Sequence, residues 1–283
     1  MPRRTPPVPV LEALACPVCH ERLTLGTRGL ACAAGHTFDL AREGYASLLT
    51  GATPPGSGDT KEMVADRLRF QQSGHYDPIG HALARALDGL HAPLVVDVGG
   101  GTGHYLALTL EALPGAHGLT TDVSKFAARK AAKAHPRAGA VTADTWRGLP
   151  LGTGTADALL NVFAPRESAE FHRVLRPGGL LVVVTPDTDH LAQLRRPLGL
   201  LEVDPHKDER LSRSLEGHFA PQQSTPLRFT VELDHADAAT VVGMGPSAHH
   251  ITHGQLADRV AELPDPVTVT ASVRVSTYRP RTP

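Results

Sequence analysis

The chain has 283 residues, with 28 Lys+Arg against 29 Asp+Glu for a formal charge of -1, 41% hydrophobic residues and 4% aromatic residues. That length suits one large domain plus a small one, and the apolar content excludes wholesale disorder. A charge near zero excludes any global attraction to phosphate, and so few aromatic residues leave little for a base-stacking platform.

A nucleic-acid partner would therefore need a local basic surface; 23 of the 28 basic residues are arginine, which suits bidentate phosphate contacts. The longest purely apolar run, Leu180 to Val184, is far short of the roughly 20 residues that span a bilayer. Pro6, Pro7, Pro9 and Glu12 break the stretch after Arg3 and Arg4, so no secretory apolar core forms and the cytoplasm is the expected compartment.

Cys16, Cys19 and Cys32 all lie in the first 32 residues and mark residues 1–50 as a small module. The spacing Cys16-x2-Cys19-x12-Cys32-x3-His36 offers two turns with two soft ligands each, the donor set of a closed, structural zinc site. Gly35 permits the backbone geometry that the second turn needs. A redox Cys-x-x-Cys would instead sit at a helix start beside a βαβ unit.

Residues 51–77 read as a linker followed by a helix. Gly51 to Gly58 is rich in Pro, Gly and Ser, and Asp59 with Glu62 forms a capping box for a helix running to Ser73 and Gly74. From 78 to 283 the pattern is that of an α/β domain with a mostly parallel sheet. Strands are expected at 94–98, 118–121, 138–142, 158–162 and 179–185, with helices at about 104–113, 125–134 and 166–175 between them. Residues 187–224 read as an insertion or lid rather than sheet. Alternation at 229–233 and 267–275 predicts two strands for the edge of the same sheet.

Asp97-Val-Gly99-Gly-Gly101-Thr102-Gly103 follows the first strand and opens a helix, so backbone amides can approach a ligand closely. Asp122 ends the next strand, where a carboxylate accepts from ribose hydroxyls, and Asp144 ends the third, suited to an adenine amino group. Asn161-Val-Phe163-Ala-Pro165 ends the fourth. The acid inside the strand end favours a class I S-adenosylmethionine methyltransferase loop over the dinucleotide form G-x-G-x-x-G, and a nicotinamide enzyme is the alternative.

These segments together resemble the bacterial 23S rRNA guanine-N1 methyltransferases, including the macrolide-resistance enzymes of tylosin producers. The resemblance is carried by Cys16-Pro-Val-Cys19, Cys32 to Asp39, Glu43-Gly-Tyr45, Gly58-Asp59-Thr60, Arg67, Gly74-His75-Tyr76, the glycine loop, Asp122-Val-Ser124-Lys125, Phe163-Ala-Pro165, Pro177-Gly-Gly179 and His190-Leu191. It covers most of residues 10–195, and the Cys/His segment is its specific part. It implies a zinc-binding RNA-recognition module ahead of a Rossmann-like methyltransferase domain. The implied substrate is a guanine, expected at nucleotide 748, in a 23S rRNA hairpin loop lining the peptide exit tunnel, with resistance to macrolides such as tylosin as the consequence. It further implies that Tyr76, the loop around Gly101 and Thr102, and His190 touch the cofactor, and that the protein is a homodimer. Gly100 departs from relatives that often carry Cys or Ser there.

Methylating guanine N1 requires that its proton be removed or its anion stabilised. Asp187, Asp189 and His190 are candidates for the base, and Asn161 suits the base edge; each has an ordinary reading as a cap or loop residue. Lys125, Arg129, Lys130, Lys133 and Arg137 form a basic run, with 125, 129 and 133 sharing a helix face. Arg3, Arg4, Arg22, Arg28 and Arg42 could form a second basic surface. His249, His250 and His253 receive no metal. A small-molecule methyltransferase with a structural zinc module, and a non-catalytic RNA-binding protein, are the competing readings.

Overall fold

In the computed structural model, which describes residues 4–27, 29–51, 58–200, 207–245 and 253–282, the chain opens with a short helix, α1 (Val8–Ala13). Pro9 sits in its first turn, where a missing N–H removes no helical bond. A three-stranded antiparallel ribbon follows: β1 (Thr24–Leu25), β2 (Gly29–Ala31) and β3 (Thr37–Asp39). The next strand, β4 (Tyr45–Ser47), leaves the ribbon and pairs in parallel at the edge of the main sheet. Arg3, Arg28, residues 52–57 of the linker, and His249 and His250 lie outside the described residues.

Helix α2 (Lys61–Gln72) starts one residue later than the capping box predicts. The Thr60 hydroxyl, not Asp59, accepts from the Met63 amide at 3.2 Å, because Asp59 is drawn into an ion pair with Arg67. Helix α3 (Asp77–Ala86) leads into alternating strands and helices: β5 (Leu94–Val98), α4 (His104–Ala112), β6 (His117–Asp122), α5 (Lys125–Ala131), β7 (Ala138–Thr142), a 3-10 turn (Thr145–Arg147), β8 (Ala156–Val162), α6 (Ser168–Val174) and β9 (Leu175–Pro186). β5 and β7 are buried along their whole length, as central parallel strands covered on both faces should be.

The chain then forms α7 (Ala192–Leu198), α8 (Lys207–Leu215), β10 (Phe219–Leu233), α9 (His235–Gly243), α10 (His253–Val260) and β11 (Val267–Pro280). The eight-stranded sheet has the order β10-β11-β9-β8-β5-β6-β7-β4. Strands β9 to β4 are parallel, whereas β11 runs antiparallel to β9 and β10 antiparallel to β11. The sequence predicts an insertion or lid rather than sheet through 224, but the edge strand begins at Phe219. Residues 221–226 are exposed on both faces and are held to β11 by register pairing and a Ser224–Ser276 hydroxyl contact at 2.9 Å, so they carry no apolar alternation to read.

Strand order reverses at β5, with β6 on one side and β8 on the other, which opens a crevice at the carboxyl ends of the strands. One core cluster fills the face under α3, α4, α7, α9 and α10. The other face is continuous with the ribbon: Cys16, Leu23, Leu30, Cys32 and Leu40 belong to the same cluster as Val96, Leu119, Val141 and Val183 of the sheet. Among the described residues no helix is long and apolar enough to cross a membrane.

Candidate metal centre and cofactor crevice

The two turns of the N-terminal module bring four ligand atoms together, all within 4.8 Å of one another: the sulfurs of Cys16, Cys19 and Cys32 and a ring nitrogen of His36. The Cys19 and Cys32 sulfurs are 3.6 Å apart, and His36 Nδ1 is 3.6 Å from the Cys16 sulfur and 3.4 Å from that of Cys32. A zinc tetrahedron built from bonds of roughly 2.3 Å to sulfur and 2.0–2.1 Å to nitrogen has edges of about 3.8 and 3.6 Å. The measured edges match it, so the site fits structural zinc. Gly35 adopts φ +86° with open space around its Cα, so conformation rather than room requires glycine there. His20 plays the equivalent part in the first turn at φ +62°, which spacing alone does not reveal.

At the crevice, Gly99, Gly101 and Gly103 all take positive φ, +68°, +58° and +77°. Gly100 has no such φ, but a Cβ on it would lie 2.3 Å from Asp97 Oδ2, so any side chain there shifts that carboxylate. Asp97 is fully buried and neither carboxylate oxygen has a hydrogen-bond partner. Burial, aided by the charge of Asp122, pushes its pKa up to about 7. A cationic group bound beside the loop would satisfy this carboxylate, and S-adenosylmethionine carries two, an ammonium and a sulfonium. The loop and the orphaned acid therefore fit that cofactor.

The other cofactor candidates converge on the same strand ends. Asp122 accepts from the Gly101 amide at 3.0 Å and from the Ser124 amide at 2.8 Å; burial raises its pKa against the pull of these bonds. Asp144 caps the 3-10 turn, accepting from the Trp146 amide at 3.1 Å, and pairs with Arg147 at 3.5 Å. Tyr76 is buried, which raises its pKa, and its hydroxyl lies 3.1 Å from His190 Nε2. Sequence reasoning missed the roof of the loop: Arg67 of α2 lies against Gly101, and Gln71 accepts from the Thr102 hydroxyl. Arg67 is among the residues that carry the resemblance, but nothing local assigns it or Gln71 to the loop, because helix and loop meet only in the folded chain.

The structure corrects two expectations about acceptor groups. Asn161 does not present its amide to a base: it donates to the carbonyls of Pro165 at 2.8 Å and Val98 at 3.4 Å and accepts from Arg166 at 2.8 Å. It holds the loop after β8 in place. His190 Nδ1 accepts from the Ser272 amide at 3.2 Å, so the neutral ring bears its hydrogen on Nε2 and donates it to Tyr76. Neither ring nitrogen is then available to take a proton. Asp187 pairs with Arg274 at 3.3 Å, and Asp189 pairs with Arg228.

The basic run also divides. Arg137 turns inward and donates to the carbonyls of Leu110, Leu113 and Ala116, closing the end of α4. Helix α5 stops at Ala131, so Lys133 lies beyond the face shared by 125 and 129, while Lys125, Arg129, Lys130 and Lys133 are all exposed. Of the second basic surface, Arg4 is spent on the His135 carbonyl, Arg22 pairs with Glu12 at 3.5 Å, and Arg42 is exposed.

Comparison with known proteins agrees with this geometry. A family model described as the N-terminal zinc ribbon of RlmA matches residues 14–51, and a methyltransferase-domain model matches residues 96–183. The chain is 50% identical over 275 residues to the 23S rRNA (guanine(748)-N(1))-methyltransferase of Streptomyces fradiae, covering 96% of this chain and 98% of that protein. It is also 50% identical over 291 residues to a provisionally named 23S rRNA (guanine-N(1)-)-methyltransferase of Micromonospora griseorubida, with the same coverage. A chain in the solved complex of the Haloferax volcanii Trm112 methyltransferase activator superposes with a TM-score of 0.54 at 15% identity, covering 80% of this chain and 99% of that one, a likeness of fold alone.

Proposed function

The chain belongs to the 23S rRNA (guanine-N1)-methyltransferase family, and from that premise we propose that it methylates N1 of guanine 748 in the 23S rRNA hairpin loop lining the peptide exit tunnel. The observation that carries this reading is the 50% identity along 96% of the chain, which takes in both the ribbon and the crevice. Resistance to macrolides such as tylosin, action in the cytoplasm where ribosomes are, and a homodimeric state extend the same reading.

Bound S-adenosylmethionine supplies a methyl group already activated by its sulfonium, so the protein has mainly to align the acceptor and exclude water. In this reading Asp97, the loop Gly99 to Gly103, Asp122, Asp144, Tyr76 and His190 hold the cofactor, and Arg67 and Gln71 keep the loop covered. The N1 lone pair is delocalised while N1 bears its proton, so that proton must leave as the new C–N bond forms. Asp187 and Asp189 remain once Asn161 and His190 are engaged; both are ion-paired, and Asp187, which directly follows β9 and is the less exposed of the two, is the candidate acceptor. Its proton then passes to solvent, leaving methylguanine and S-adenosylhomocysteine.

The test is transfer of labelled methyl to unmodified 23S rRNA, with the product base identified by mass spectrometry and mapped by primer extension. A stop at 748 and 1-methylguanine are expected. Label confined to small molecules would instead support a small-molecule methyltransferase, and RNA binding without transfer would support a non-catalytic protein.

A further inference from the structure

Five large apolar side chains are exposed among the described residues: Val8, Val18, Leu25, Trp146 and Phe163. Phe163 alone ends β8, the strand between the glycine-loop strand β5 and β9, which leads to Asp187. It is 39% exposed and holds φ +54°, a left-handed conformation that a bulky side chain rarely adopts.

The surrounding structure enforces that conformation. The Phe163 amide donates to the Val184 carbonyl at 3.2 Å, and two residues on, the Pro165 carbonyl is gripped by Asn161 at 2.8 Å. Between them Ala164 packs so closely on the glycine loop that its Cβ lies 2.6 Å from where a Cβ on Gly99 would be. Arg166 then locks Asn161 from the far side at 2.8 Å. The result is a phenyl ring held out of the core at the crevice, its centroid 5.9 Å from the ring of His190, which is bonded in turn to Tyr76.

An apolar ring kept exposed by a strained, fully pinned backbone has a flat face ready for a flat ligand. The guanine to be methylated is such a ligand, and a base in a folded hairpin must leave its stack to reach the methyl group. Resting on the proposed function, we propose that Phe163 stacks on the extruded guanine and sets its N1 in line with the methyl group. The network of Asn161, Pro165 and Arg166 then has the task of aiming this ring, which accounts for the buried amide that no substrate contact uses. The low aromatic content still argues against a multi-base stacking platform; one ring suffices for one base.

The experiment compares wild type, Phe163→Leu and Phe163→Trp in single-turnover methylation of 23S rRNA at saturating enzyme and cofactor, with S-adenosylhomocysteine affinity measured for each. Leucine keeps an apolar side chain without the π face, and tryptophan restores one. Stacking predicts that Phe163→Leu slows turnover at least about fivefold, from the usual worth of a base–aromatic stack, while cofactor affinity is unchanged and Phe163→Trp recovers the rate. A second readout is independent of rate. With 2-aminopurine in the acceptor position, its fluorescence in the complex should be brighter for Phe163→Leu than for wild type, because the quenching ring is gone. Equal rates and equal fluorescence for wild type and Phe163→Leu overturn the stacking role and leave the proposed function standing. A wild type that leaves 23S rRNA unmethylated overturns the proposed function itself.

Discussion

Glu43 of the zinc module and Arg129 of α5 form an ion pair at 3.3 Å. Beneath it Tyr45 packs with Ala128, Ala131, Ala132 and Ala140 in a small core of its own. Lys125 and Lys130 of the same helix, and Lys133 just beyond it, are exposed. The pair joins segments some eighty residues apart in the chain, and the exposed lysines form a basic surface next to that junction.

This surface should carry the salt dependence of RNA binding. Replacing Lys125, Lys130 and Lys133 together by alanine is expected to weaken binding of a 23S rRNA hairpin fragment and reduce the slope of log K against log salt by about 2 to 3. Arg129→Ala should in addition lower the melting temperature slightly, since it removes the exposed partner of the part-buried Glu43 carboxylate. Titrations at several salt concentrations check the first point; an unchanged slope would refute it.

Because the ribbon cysteines share a core with the sheet, metal removal should reach beyond RNA recognition. A strong chelator, or Cys16→Ala with Cys19→Ala, is expected to abolish methylation and to lower the thermal transition of the whole chain, since structural zinc contributes on the order of 10 kcal/mol to small modules of this kind. Calorimetry with and without chelator would show it, and an unshifted transition counts against the shared core.

Gly100→Ala places a Cβ against the Asp97 carboxylate and forces it to rotate. Affinity for S-adenosylhomocysteine should fall on the order of tenfold, about 1.4 kcal/mol, and the melting temperature of the apo protein should fall as well, since overpacking a buried site costs about 1–3 kcal/mol. Isothermal titration of the purified variant decides the matter. Undiminished affinity would show that the position of Asp97 does not matter to the cofactor.

The raised pKa of Asp97 makes stability depend on pH in a definite direction. Between the unfolded value near 3.9 and about 7 the folded chain holds more protons than the unfolded one, so apo stability should fall as pH rises across that window and level off above it. The loss is at most about 4 kcal/mol. Asp97→Asn should flatten the profile and raise the melting temperature at pH 8 while weakening cofactor binding. Binding S-adenosylmethionine near pH 7 should also release a proton, measurable in buffers of different ionisation enthalpy.

Reading these residues in order already locates the metal ligands, the glycine loop and the alternation of β5 to β9, because each depends on short spacing: two turns for one ion, one tight loop between strand and helix, one face per residue along a strand. The class of chemistry follows from them. Other facts required distant segments to meet. Asn161 looks like a base-reading amide until Val98, Pro165 and Arg166 close around it, and His190 looks like a base until the Ser272 amide assigns its tautomer. Arg137 belongs to a basic run in sequence and to the end of α4 in space. The edge strand β10 has no apolar alternation over 221–226, since backbone pairing to β11 needs none. The sequence by itself determined which chemical groups are present and which neighbours along the chain act together. Only the tertiary structure decided which hydrogen-bonding capacity is consumed inside the protein and which is left for substrate, because hydrogen bonding and burial depend on distance in space and not along the chain.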